Sequence, residues 1–394
     1  MIKAPATLMI GGGSRGIGKT AFTCAVLEKF GSQHDITAVK VTTIDRSNTN
    51  HHPEIAGTGL LQGGDPLPAL YRISEETDSY GDKDTARMLA SGAKRALWLQ
   101  VPDAHLQNGI AALLDTLGRE TVSIWESTRA CRFVDPGASI MVEGSQTVHR
   151  KPWAKELTGY ADKVVLSNGI TFDIDWNDIH FSGRRWAVRM RATAILLAGG
   201  GSTRMGADKA LLPIDGKPMI QRIHEQLRPW FSRTLVSSNH ASAHAFLGVP
   251  VVMDEAVGKG PLMGIVSALK ASPDEINFVT ACDTPEVDID LMRAMVHQAR
   301  AWDAVVPRTE LGRSEPLFAV YNKSVLPAFE HLLSSGNYRM TDALERCRVK
   351  YMPVVPGQIR NINTRSEYRE YLDRAEETNP GRSVDDRLGV RVDA

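Results

Sequence analysis

At 394 residues the chain is too long for one ordinary hydrophobic core, so two or three domains are expected. Lys+Arg and Asp+Glu balance at 46 each, which argues against a general nucleic-acid binder and leaves room only for local basic pockets. The four cysteines (Cys24, Cys131, Cys282, Cys347) are scattered without a C-x-x-C pair, and no apolar run is long enough for a bilayer. With an opening MIKAPATLMIGGG too short in apolar residues for a signal peptide, the chain reads as a reduced, soluble, cytoplasmic protein without nucleic-acid or membrane partners.

Residues 6–10 (ATLMI) read as a short buried strand that runs straight into GGGSRGIGKT at 11–20. Within it, GSRGIGKT at 13–20 satisfies G-x-x-x-x-G-K-[ST] in full. Gly13, Gly16 and Gly18 would let the backbone curl so that its N–H groups face phosphate oxygens. Lys19 would reach the β- and γ-phosphates, and Thr20 would offer its hydroxyl to Mg²⁺. Residues 21–30 (AFTCAVLEKF) read as the helix whose N-terminus lies under the phosphates, so strand, loop and helix follow in the order the motif requires.

A second strand at 36–42 is followed by a polar segment carrying His51 and His52, a pair more often solvated than ligating. The glycine- and proline-rich stretch 57–81 reads as loop, and Asp82-Lys83-Asp84-Thr85 leads into a helix at 86–92. Strands follow at 96–101 and 121–125, the latter ending before Glu126, with two more at 138–142 and 163–166. A carboxylate after a strand is where P-loop proteins orient Mg²⁺-bound water, so Glu126 joins Thr20 as a candidate metal position. The plainer alternative for Glu126 is a surface glutamate.

GGGSRGIGKTAF, the segment after VKVTT, the DKDTARMLASGAKRALWLQV stretch and the WES step together resemble MobB, the P-loop GTP-binding adapter of molybdopterin-guanine dinucleotide biosynthesis. The resemblance implies GTP binding, with weak GTPase activity at most, and protein partners among apo-molybdoenzymes or molybdopterin-insertion proteins.

Residues 177–192 (NDIHFSGRRWAVRMRA) carry four arginines with no obvious apolar face and no flexible spacer. A second strand and glycine loop begin directly afterwards. The expected division is 1–190 and 191–375, with a charged tail at 376–394 expected to be disordered.

In the second half the apolar run 194–198 empties into three glycines, with Ser202, Arg204, Gly206, Asp208 and Lys209 at close spacing behind. Strands are expected at 234–238, at 249–253 before Asp254, at 276–281 before Cys282-Asp283-Thr284-Pro285, and later at 304–307 and 316–321. Helices are expected at 219–226, 265–270 and 368–372. This alternation predicts a mostly parallel sheet whose carboxyl edge gathers the glycines, Asp254 and Asp283. A nucleoside triphosphate needs backbone donors, a cation and a divalent metal there. The glycine loop supplies the first, Lys209 and Arg204 the second, and Asp283 the third through Mg²⁺. Taken alone, Asp283 reads more readily as a helix N-cap for the stretch from Pro285 onward.

LAGGGSTRMGADKALLPIDGKPMI, VVMDEAVGKGPLMGI, CDTPEV, EPLFAVY and NINTRSEY resemble MobA, the molybdenum cofactor guanylyltransferase. The resemblance implies nucleotide-loop roles for Leu197, Ala198, Gly199 and Gly200, a phosphate role for Lys209, a nucleotide contact at Asp254 and Mg²⁺ ligation by Asp283. An expected asparagine contact falls on Ser237 by strict spacing, with Asn239 two residues on. The implied reaction joins GTP to Mo-molybdopterin with loss of pyrophosphate. Cytidylyl transfer to the same pterin, sugar-phosphate nucleotidyl transfer and non-catalytic, GTP-regulated cofactor delivery stay open, with Gly199-Gly200 favouring guanylyl transfer. The fold expected is thus two three-layer α/β/α domains, one P-loop NTPase-like and one a Rossmann-like nucleotidyltransferase.

Overall fold

The computed structural model describes residues 1–14, 16–44, 70–145, 159–199 and 208–378. These form two compact units, Met1–Arg189 and Met190–Ala394, each built on a seven-stranded sheet.

The first sheet has the order β3-β4-β2-β5-β1-β6-β7, from β1 (Ile2–Gly12), β2 (Thr37–Ile44), β3 (Arg72–Glu76), β4 (Arg95–Pro102), β5 (Ser123–Glu126), β6 (Val134–Gly144) and β7 (Lys163–Ser167). All neighbours run parallel except edge strand β3, which pairs antiparallel with β4. Because side chains alternate along a strand, Leu8, Ile10 and Ile124 face one layer while Met9 and Trp125 face the other. The first layer holds α1 (Lys19–Phe30) and α2 (Asp84–Ala90); the second holds α3 (Leu106–Leu117).

Helix α3 goes unnamed in the sequence reading, yet Leu106, Ile110, Leu113, Leu114 and Leu117 recur at helical spacing and are buried. Strand β3 lies inside the stretch 57–81 read as loop; pairing with β4, not local propensity, makes it a strand. The arginine-rich 177–192 segment does have an apolar face. Its short hairpin, β8 (Ile179–Phe181) and β9 (Trp186–Val188), buries Ile179, Trp186 and Val188 in the α1 layer, where Trp186 meets Phe30 edge to face.

The second sheet has the order β14-β13-β10-β15-β17-β16-β18. Its strands are β10 (Met190–Leu197), β13 (Phe231–Ser237), β14 (Val251–Val252), β15 (Ile276–Ala281), β16 (Ala304–Thr309), β17 (Phe318–Asn322) and β18 (Val349–Val354), with β11 (Pro213–Ile214) and β12 (Lys217–Pro218) forming a separate small hairpin. Strands β14, β13, β10 and β15 run parallel as adjacent neighbours, so their carboxyl ends share one edge. Strand β17 alone is antiparallel to both of its neighbours.

One face is covered by α5 (Pro261–Ala271), α7 (Leu326–Ser334) and α8 (Met340–Leu344), packed on Ile195, Leu235, Val279 and Tyr321. Helices α4 (Met219–Leu227) and α6 (Ile289–Gln298) also pack on the sheet, α6 along β15, β16 and β17. The sequence reading names none of α6, α7, α8 or β18. The last helix, α9 (Arg365–Thr378), runs past the expected tail start at 376; residues 379–394 lie outside the described residues. No helix among the described residues is long and apolar enough to cross a membrane.

Candidate active site

The carboxyl edge of the second sheet gathers four chain segments. Strand β10 passes through Leu197 and buried Ala198, whose N–H donates to the Ser237 carbonyl at 2.9 Å, and reaches exposed Gly199. Gly200 and Arg204 lie outside the described residues. Next to β10, Ser237 ends β13 with its side chain buried against α5: a Cβ on Gly264 would stand 2.7 Å from the Ser237 Oγ and 3.3 Å from Asp254 Oδ1, so only glycine lets α5 approach this edge. Two residues on, Asn239 makes a reciprocal pair with Asp254. Its Nδ2 donates to Asp254 Oδ2 at 2.9 Å, and its Oδ1 accepts the Asp254 N–H at 3.0 Å. With Ser237 buried, Asn239 is the side chain at this strand end that stays partly open to a ligand.

Beyond β15, Asp283 stands opposite Lys209, which sits in a short turn capped by the Asp208 carboxylate. Lys209 Nζ lies 3.7 Å from Asp283 Oδ2 and donates to Asn363 Oδ1 at 3.1 Å. The other carboxylate oxygen, Asp283 Oδ1, is buried and accepts no hydrogen bond among the described residues. Burial pushes the Asp283 carboxyl above its ordinary value, against the opposing pull of Lys209. Asp283 is not a helix cap; α6 is capped by Asp288, whose side chain accepts from Leu291 N. A buried carboxylate oxygen without a donor suits a divalent cation, and the ammonium opposite suits the phosphates that such a cation would carry. The neighbouring Cys282 thiol is pushed up to about 12 by burial and then by the charge of Asp283, so it stays protonated and is no nucleophile.

The segment after β18 closes this site. Ile362 N donates to the Asp283 carbonyl at 2.7 Å, Thr284 donates to Asn361 Oδ1 at 2.9 Å, and Glu367 accepts from the Asn363 and Thr364 N–H groups. Asn361, Asn363 and Glu367 also line a cavity of about 540 Å³, with Arg313, Arg360 and Arg374 on its wall. Nothing local in the NINT stretch marks its asparagines for the site; only the fold brings Asn363 to Lys209.

In the first unit, the described residues of the G-x-x-x-x-G-K-[ST] match precede and open α1. Gly18 precedes the helix at φ 88°, a left-handed conformation, and a Cβ there would stand 2.9 Å from the Ser167 Oγ. Gly13 lies in the bend after β1, and Gly16 is also left-handed at φ 73°. Lys19 Nζ donates to the Ser14 carbonyl at 2.6 Å. Thr20 Oγ1 donates to Glu126 Oε2 at 2.8 Å, and Glu126 is buried, not a surface glutamate. Thr128 braces the loop from β5, accepting from the Gly12 N–H and donating to its carbonyl. His51 and His52 lie outside the described residues.

A lysine opposite a half-buried carboxylate at the carboxyl edge of a mostly parallel sheet suits nucleotidyl transfer. The comparisons agree: residues 194–349 match the MobA-like NTP transferase domain. A probable molybdenum cofactor guanylyltransferase of Carboxydothermus hydrogenoformans is 34% identical over 46% of this chain and 94% of its own length. The molybdenum cofactor guanylyltransferase of Vibrio cholerae is 30% identical over 45% of this chain and 89% of its own. The molybdopterin-guanine dinucleotide biosynthesis protein A structure from Archaeoglobus fulgidus aligns with 47% of this chain and 99% of its own, at 24% identity and a TM-score of 0.41. The chain is a nucleotidyltransferase, and it belongs through its C-terminal half to the molybdenum cofactor guanylyltransferase family.

Proposed function

We propose that the C-terminal unit transfers GMP from GTP to Mo-molybdopterin, giving molybdopterin guanine dinucleotide and pyrophosphate. The observation that carries this reading is the Lys209–Asp283 pair at the carboxyl edge, with one carboxylate oxygen buried and unpartnered. An oxygen of the pterin's terminal phosphate bonds to the α-phosphorus of GTP in line, while the bond from that phosphorus to the pyrophosphate oxygen breaks. Lys209, 3.7 Å from Asp283 Oδ2, would neutralise charge gathering on the departing pyrophosphate. Asp283 would hold Mg²⁺, which when bound neutralises the triphosphate. A phosphate nucleophile is already ionised near neutral pH, so no protein base is needed.

Gly199 opens the nucleotide loop, the Asn239–Asp254 pair would face the nucleoside, and the arginine-walled cavity beside Asn363 suits an anionic, phosphate-bearing pterin. For the first unit, the motif at 13–20 and the Thr20–Glu126 hydrogen bond support a P-loop GTP-binding adapter, with Lys19 and the loop N–H groups on the phosphates and Thr20 with Glu126 at the metal. An adapter of this kind would present the finished cofactor to apo-molybdoenzymes or molybdopterin-insertion proteins.

The test is to incubate the full chain with Mg²⁺, Mo-molybdopterin and each nucleoside triphosphate in turn, and to follow pyrophosphate and the dinucleotide. GTP should be used at least about tenfold better than CTP. Turnover that survives both Lys209→Ala and Asp283→Ala would sink the site assignment.

A further inference from the structure

The first unit contains a charged cluster that the phosphate-loop motif does not account for. Lys40 on β2 and Glu126 at the end of β5 are register partners across two parallel strands, and Glu126 is in turn the register partner of Ile10, just ahead of the loop. Lys40 Nζ lies 3.3 Å from Glu126 Oε1 and donates to Asp84 Oδ2 at the start of α2. The Glu126 oxygen that Lys40 leaves is the one Thr20 engages at 2.8 Å. One ammonium is thus seated between two carboxylates, and one of those carboxylates is hydrogen-bonded to the hydroxyl that P-loop proteins place on Mg²⁺. The cluster is sheltered at its inner end: the Glu126 side chain is 6% exposed and that of Lys40 20%, with Asp84 at the rim at 35%. Burial pushes Asp84 upward, but the hydrogen bond and charge of Lys40, joined by the Thr20 hydroxyl and the charge of Arg87, outweigh it and hold the carboxyl below its ordinary value.

Resting on the phosphate-loop reading above, we propose that Lys40 is a built-in counterion of the N-terminal nucleotide site, seated between Glu126 and Asp84 where a divalent cation would otherwise be needed. The charge count gives the consequence. Two carboxylates without Lys40 present −2 beside the phosphates and repel them until a metal arrives. Lys40 removes one of these charges on the sheltered side, and Arg87, 3.8 Å from Asp84, together with Lys19 offsets the rest. A nucleoside diphosphate is therefore held with little help from Mg²⁺, and a metal entering at Glu126 must compete with a cation anchored on the sheet.

The experiment measures binding of a fluorescent GDP analogue to the full chain, with Mg²⁺ and with EDTA. The signal lost on Lys19→Ala is assigned to this unit, which separates it from the C-terminal nucleotide site. The wild-type dissociation constant should change by no more than about threefold between the two conditions. Lys40→Met should weaken binding about tenfold or more in EDTA and recover in Mg²⁺. Lys40→Arg, which keeps the charge, should behave as the wild type and controls for misfolding. Without nucleotide, Lys40→Met should also bind Mn²⁺ about tenfold more tightly by paramagnetic resonance titration. A wild type that needs Mg²⁺ as strongly as Lys40→Met overturns the counterion assignment alone. Absence of any Lys19-dependent signal in either condition overturns the phosphate-loop reading, and the counterion with it.

Discussion

Lys209→Ala should separate catalysis from stability. At about 4 Å and an effective dielectric near 20, a unit charge is worth about 4 kcal/mol to charge developing on a phosphate. That converts to a loss of about a thousandfold in kcat/KM. The same side chain contributes far less to folding. Its contact with Asp283, at 3.7 Å, is near the outer limit for an ion pair, and water can replace its hydrogen bond to Asn363. Loss of both should cost about 1 kcal/mol. The assay is pyrophosphate release with GTP and Mo-molybdopterin, run beside thermal unfolding of the same preparations. A loss under about tenfold in kcat/KM, or a melting shift large enough to explain the lost activity, would refute the electrostatic role.

The raised pKa of Asp283 gives a pH dependence with a definite sign. Burial favours the protonated form, which binds no cation, so activity should fall on acidification through a limb above the ordinary aspartate range. Raising Mg²⁺ should move that limb to lower pH, and a limb insensitive to Mg²⁺ would count against metal binding at Asp283. Asn239→Ala removes the partner that aims Asp254, and should raise KM for GTP about tenfold with kcat nearly unchanged; an unchanged KM would remove this pair from the nucleotide site. Trp186→Ala empties a fully buried position and should destabilise the first unit by about 3–5 kcal/mol in chemical denaturation, while guanylyl transfer below the unfolding range is retained.

What the sequence made legible were features written locally. An apolar run ending in glycine marks the edge of a sheet: β1 ends at Gly12 ahead of the motif at 13–20, and β10 ends at Leu197, two residues before Gly199. Asp254 and Asp283 follow strands and were placed on the correct edge for the same reason, since parallel neighbours bring their ends together. Arginine content hid the hairpin at 179–188, because three-residue strands leave only one or two inward positions each. Helix α3 carries a clear helical period in Leu106, Ile110, Leu113, Leu114 and Leu117, so its signal is local as well. The distant pairings had no local signal: Lys40 meets Asp84 across 44 residues, and Lys209 meets Asn363 across 154. Glu126 shows the intermediate case, where the position was found but its burial depended on β2 and α1 closing over it.

The hydrogen bond from Ile362 to the Asp283 carbonyl and the contact between Asn363 and Lys209 separate folding from function along the chain. All seven strands of the second sheet are complete by Val354, whereas the asparagines that finish the site come afterwards. A chain cut between these points would keep the whole sheet and lose the partner that positions its lysine. The sheet of this unit is thus encoded ahead of the residues that complete its site. Its activity would begin only when the closing segment docks, and a stable but inactive truncation at 355–360 is the signature to look for.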